Sequence, residues 1–171
     1  MRWWSRLRNV VINRILGLND TPHRIAWGVL LGFVVAFTPT VGLQMMLFVA
    51  VATLLRANKV SGLPIVWLTN PFTVVPIYYA CWRIGAFFLG TDDDPERGAE
   101  IIGRLVGTET EWSWGRLIEW AFWEEVGRTM WELGAELWLG GLLVGVVLGL
   151  IFYPVTIWGV KVYRRARGLP H

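Results

Sequence analysis

Charge is scarce in this chain: only 17% of its 171 residues are Asp, Glu, Lys or Arg, where a soluble domain of this size carries about a quarter. That scarcity argues against a water-exposed globule. Cysteine occurs once, at Cys81, so no internal disulfide can form. Its position inside an apolar run says nothing about redox compartment. The two histidines, His23 and His171, stand alone, and no His/Cys/Asp/Glu set has metal-ligand spacing. Motifs of group-transfer and hydrolytic chemistry are missing too: there is no GxSxG, no phosphate-binding loop and no GxGxxG followed by an acid. Adjacent carboxylates at Glu124-Glu125 would diverge on a helix, and the run Asp92–Asp94 suits solvent. The sequence therefore predicts no enzyme, no cofactor and no metal. A cleavable signal is not expected either, because MRWWSRLRNVVINRILGL is broken by charge throughout and lacks a continuous apolar region.

What is abundant is apolar. Hydrophobic residues make up 54% of the chain, and mean hydropathy is positive. Tryptophan, which concentrates where a membrane meets water, occurs twelve times. The few charges are sorted. Residues 92–136 hold twelve of the thirteen acids against four arginines, a charge of −8, and the remainder carries +11. Such a split fits sidedness across a membrane. A nucleic-acid partner is not expected, since no soluble module presents a basic face.

Four segments follow from the pattern. Residues 1–20 read as an amphipathic interface helix: Trp3, Leu7, Val10, Val11, Ile15 and Leu18 recur at helical spacing, with Arg2, Arg6, Arg8 and Arg14 between them. Residues 21–91 form a membrane core of broken helices. Asp20 or Thr21 can cap a new helix, and Pro22 suits its first turn; IAWGVLLGFVVAF follows over 25–37, with Gly28 and Gly32 spaced for close helix approach. Thr38-Pro39-Thr40-Val41-Gly42 interrupts it, because the residue before a proline avoids helical angles and glycine permits unusual ones. A second apolar run, Leu43–Leu55, is closed by Arg56, Asn58 and Lys59. A third stretch, 60–90, is broken at Asn70-Pro71 and again at Pro76. The run over 25–37, about thirteen residues, is too short to cross a bilayer, which takes about twenty. Residues 92–136 form the acidic, Trp-rich part, read as one or two amphipathic helices outside the cell membrane. Residues 137–171 hold a charge-free stretch over 137–160, long enough to span, followed by the basic tail of Lys161, Arg164, Arg165 and Arg167. The fold class is thus an all-α membrane protein of short broken or re-entrant helices, with an N-terminal amphipathic helix and a C-terminal transmembrane helix.

Charge also sets an expected topology. Basic residues near span ends mark the cytoplasmic side, so both termini and the Arg56–Lys59 turn belong inside. A single crossing over 25–55 would put Arg56 and Lys59 outside. A re-entrant hairpin turning at Thr38–Gly42 keeps them inside, residues 60–90 then cross once, and 137–160 return. The expected location is the bacterial inner membrane, multi-pass.

The segments TPHRIAWGVLLGFVVAFTPTVGLQ (21–44), LRANK (55–59) and WLTNPFTVVPIYYACWRIG (67–85) resemble a bacterial membrane-protein family known as domain of unknown function 2062. The motifs are specific over about residues 5–90, and the C-terminal span matches more loosely. The resemblance implies a small polytopic inner-membrane protein, of a kind sometimes joined to glycosyltransferase domains that act on polyprenyl-phosphate carriers. The acidic insert carries no motif of it.

Site candidates come from the breaks. Non-helical backbone at membrane depth must be buried in protein or line a watery cavity. Facing breaks would gather Thr38, Pro39, Thr40, Gly42, Gln44, Thr69, Asn70, Pro71 and Thr73. They would either bind an anionic group, as transporters do with half-helix N-termini, or simply glue helices together. Arg83, inside an apolar run after Tyr78, Tyr79 and Trp82, either meets a lipid phosphate or snorkels to the interface. His23, Arg24 and Lys59 are expected headgroup or interface contacts. Two functions follow: binding or transport of an anionic membrane lipid such as a polyprenyl phosphate, or a non-transporting scaffold that partners an envelope enzyme or forms a homo-oligomer. A polar cavity between the breaks favours the first, a dry contact the second.

Overall fold

A computed structural model describes residues 20–40, 43–70, 73–91, 96, 98, 100, 134–166 and 168. The expected N-terminal amphipathic helix and nearly all of the acidic segment lie outside these residues. Among the described residues there are five helices and no strand: α1 Pro22–Phe37, α2 Gln44–Leu54, α3 Lys59–Val66, α4 Val74–Leu89 and α5 Gly134–Ala166.

The helix ends follow local chemistry. Thr21 caps α1, its hydroxyl accepting from the Arg24 amide, and Pro22 occupies the first turn. Thr38 is extended (φ −78°, ψ 142°), as the following proline requires, so α1 stops at Phe37. Asn58 caps α3 through Oδ1, which accepts from the Ser61 amide. One proline behaves differently from expectation. Pro76 does not interrupt the third apolar stretch; it lies in the first turn of α4, where its missing N–H removes no helical bond. Pro64 sits inside α3, in an eight-residue helix. The long helix also starts earlier than the charge-free run, at Gly134, and ends later, at Ala166.

α1 is the hub. One face, with Val29, Phe33, Ala36 and Phe37, packs with Val74, Tyr78, Cys81 and Trp82 of α4 and Leu137 of α5. Another, with Leu31 and Val35, packs with Phe48 and Ala52 of α2, Ala57 and Val66. Glycine lets the backbones approach. A Cβ on Gly28 would land on the Asn58 carbonyl and the Ser61 hydroxyl, and one on Gly141 would land on the Phe37 carbonyl. Gly145 and Gly149 continue that stripe against Phe33, Val34 and Leu30. These pairings set directions. α5 runs antiparallel to α1, with Gly141 beside Phe37 and Tyr153 beside His23. It also runs antiparallel to α4, with Gly140 beside Cys81 and Glu136 beside Gly85. α3 runs parallel to α1, from Ser61 on Ile25 to Thr69 on Ala36.

α1 and α2 are therefore two arms of a hairpin whose open end returns to its starting level. There the Asn58 amide donates to the Arg24 carbonyl, 2.9 Å. The turn out of α2 has a Schellman pattern: Arg56 N–H donates to Thr53 and Ala57 N–H to Ala52. Its left-handed position, φ 53°, is held by arginine where glycine is usual. The conformation costs an L-residue about 1 kcal/mol.

Much apolar surface stays uncovered. In the most apolar 18-residue stretch of α5 only 22% is buried. Trp158, Phe87 and Leu54 are 68%, 81% and 82% exposed. α5 is the one described helix long and apolar enough to cross a membrane.

Candidate functional site

Polar groups gather at the two ends of α1. At its C-terminal end the last carbonyls of the helix would lack partners, and donors from three other segments reach them. Gln44, at the start of α2, donates through Nε2 to Ala36 O (3.2 Å), Thr38 O (3.3 Å) and Tyr78 Oη (2.7 Å). The Tyr78 hydroxyl donates to Thr38 O at 2.8 Å. The Thr69 hydroxyl lies 3.0 Å from Ala36 O and 3.1 Å from Gln44 Oε1. Thr38 turns its own hydroxyl back to Val35 O, 2.8 Å. Thr38, Gln44, Thr69 and Tyr78 thus form a closed knot that joins both breaks, with Gln44 and Tyr78 buried. Pro39 is fully buried beside it, and the hydroxyl of buried Thr40 has no partner.

Other expected site residues lie elsewhere. Asn70 and Thr73 form a local reciprocal pair, each side chain accepting from the other's amide, in the manner of a capping box at the entry to α4. Gly42 and Pro71 are outside the described residues. Arg83 is exposed on α4 and is engaged in an interaction. α5 also places an acid, Glu136, beside Gly85, two positions further along α4.

At the N-terminal end of α1 the polar groups are charged. Arg24 pairs with Asp20 at 2.9 Å and donates through Nε to the Arg56 carbonyl at 2.6 Å. Buried Asn58 donates to Asp20 Oδ2, 3.0 Å. Buried Arg164, from the last turn of α5, donates to the Asp20 carbonyl. His23 Nδ1 meets the Tyr153 hydroxyl at 3.0 Å, and Trp27 lies edge-on to that ring, 5.9 Å between centroids. Lys59 is exposed at the start of α3. Arg24, Arg56, Lys59, Lys161, Arg164 and Arg165 thus share one end of the helix group with a single described acid, Asp20. His23, Arg24 and Lys59 belong to this end, not to the knot.

Sequence reading missed Tyr78 as a knot member, and Asp20, Asn58, Ser61, Tyr153 and Arg164 as partners at the basic end. For Tyr78 a signal existed: Val74, Tyr78, Cys81, Trp82 and Gly85 recur as one helical stripe, and a tyrosine inside such a stripe needs a partner for its hydroxyl. Among the described residues no group of three or more His, Cys, Asp or Glu could hold a metal ion.

No curated protein and no solved structure matches the chain. A family model described as "Uncharacterized protein conserved in bacteria (DUF2062)" matches residues 5–168, nearly the whole length. The chain belongs to that family.

Proposed function

We propose that the chain is a multi-pass bacterial inner-membrane protein that binds an anionic lipid at its basic end. The observation that carries this reading is the sorting of the surface: a wide uncovered apolar belt stops at a cluster of six bases with one acid. Soluble proteins rarely expose continuous apolar patches of this extent. On α5, Trp138 and Trp158 are twenty positions apart, about 30 Å of helix at 1.5 Å per residue, the thickness of a hydrocarbon core. Lys161, Arg164 and Arg165 follow immediately, as they would at a cytoplasmic headgroup layer.

The hairpin supports a re-entrant arrangement. Arg24 and Arg56 touch at its open end, so both arms begin and finish on the basic side. α3 and α4 then lead away in series, and α5 returns over the whole depth. This supports a reading with both termini inside and the acidic segment outside. A polyprenyl phosphate suits such a surface, because one phosphate would meet the arginines while its tail follows the exposed side chains of α2 and α5. The knot supports a structural role for the breaks, since Gln44, Thr69 and Tyr78 spend their hydrogen bonds on each other and on α1.

Native mass spectrometry of the detergent-purified protein, with identification of retained lipids, tests this reading. Enrichment of anionic lipid over the parent membrane is expected; retained lipid with the membrane's own composition would contradict it. One observation favours a second reading, a scaffold that assembles with copies of itself or an envelope enzyme. The breaks are joined by direct side-chain hydrogen bonds, and α2 leaves Met45, Met46, Val49, Ala50, Thr53 and Leu54 as an open apolar groove. Crosslinking in the native membrane that captures only monomer would remove it.

A further inference from the structure

The turn after α2 is built on a conflict. Its left-handed position closes a Schellman motif, where glycine fits without strain, and the chain places an exposed Arg56 there. The Arg56 carbonyl is gripped by Arg24 Nε at 2.6 Å, and Asn58 N–H holds the Arg24 carbonyl at 2.9 Å. Three cations, Arg24, Arg56 and Lys59, therefore spring from backbones bonded together at the open end of the hairpin. The nearby acid is spent on Arg24 alone among them: Asp20 pairs with Arg24 and accepts from the Asn58 side-chain amide. Among the described residues neither the Arg56 guanidinium nor the Lys59 ammonium has a counter-ion. Exposed apolar side chains, Leu54 and Leu55, adjoin this group directly in sequence and face outward.

We infer that Arg24, Arg56 and Lys59 form the seat of a lipid headgroup phosphate, with Arg56 as its principal contact. This deepens the anionic-lipid reading and rests on it. Arginine offers a planar fork of donors matched to phosphate oxygens, which accounts for its presence at a position whose backbone prefers glycine. The Arg24 contact fixes the Arg56 carbonyl, and the Arg56 side chain is exposed. The adjoining leucines would lie against the first methylenes of the lipid tail.

The test uses the full chain in detergent micelles doped with a polyprenyl monophosphate, with binding followed by native mass spectrometry and thermal midpoints recorded in parallel. Arg56→Gly relieves the backbone strain, so its midpoint without lipid should equal or exceed that of wild type. Its lipid affinity should fall about tenfold, the effect of losing one charge-assisted contact. Arg56→Asn, which also tolerates the left-handed turn, should show the same loss if the glycine variant does not fold. Arg56→Lys should fall between. Wild-type affinity in Arg56→Gly or Arg56→Asn would overturn the seat while leaving the anionic-lipid reading in place. No binding to wild type would overturn both. An equal midpoint rise with inorganic phosphate alone would overturn the assignment to a lipid headgroup.

Discussion

Removing a single oxygen atom, in Tyr78→Phe, probes the knot without opening a cavity, because the fully buried ring stays in place. Two good hydrogen bonds disappear, the one donated to Thr38 O at 2.8 Å and the one accepted from Gln44 Nε2 at 2.7 Å. No acceptor is orphaned. Thr38 O keeps Gln44 Nε2 and the Thr40 amide, and Ala36 O keeps Gln44 and Thr69. The loss is therefore the net value of two neutral bonds rather than a desolvation penalty, about 1–2 kcal/mol. Gln44→Leu removes both the donor that joins three acceptors and the oxygen that faces Thr69, and should cost more, about 2–3 kcal/mol. The two variants share the Gln44–Tyr78 bond, so a double-mutant cycle should show coupling of about 0.5–1 kcal/mol. Reversible unfolding in mixed micelles, followed by tryptophan fluorescence, measures all three. A Tyr78→Phe protein as stable as wild type, with no coupling to Gln44→Leu, would refute the idea that this network closes the breaks.

Other substitutions separate close packing from capping. Gly28→Ala drives a methyl into the Asn58 carbonyl and the Ser61 hydroxyl, so α3 must shift and the folded fraction in detergent should fall sharply. Gly159→Ala, with nothing within 4 Å of the new atom, should be neutral or stabilising by up to about 1 kcal/mol. Equal behaviour of the two alanines would remove the case for close α1–α3 contact. Asn58→Ala loses the α3 cap and the bond to Asp20 and should cost about 1–2 kcal/mol in the same unfolding assay, with membrane insertion unchanged because hydrophobicity barely alters.

Sequence pattern made the helices legible where local chemistry dominates. Thr21-Pro22 and Thr38-Pro39 mark the two ends of α1 through caps and the restriction before proline, and Gly28/Gly32 identify the face that α3 meets. Pro76 was misleading, because a proline breaks a helix interior but suits a first turn, and only the position of Val74 as the start of α4 distinguishes the two. The facing breaks were legible as an expectation; their closure by Tyr78 was not, since that partner comes from forty residues beyond Thr38. The basic end was visible as charge at three separate places in the sequence. Its organisation around Asp20 depends on contacts as distant as that with Arg164, 144 positions away, which no local spacing encodes.

The membrane arrangement proposed for the hairpin is tested most directly by cysteine labelling in a Cys81→Ala background. Single cysteines replace Lys59 and Asp93, and a membrane-impermeant maleimide is applied to intact spheroplasts and to inside-out vesicles. With α1 and α2 as a re-entrant pair, Lys59→Cys should react only in inside-out vesicles and Asp93→Cys only in spheroplasts. Labelling of Lys59→Cys in intact spheroplasts would contradict the arrangement, because it would place the open end of the hairpin, and with it the basic cluster, on the outer face.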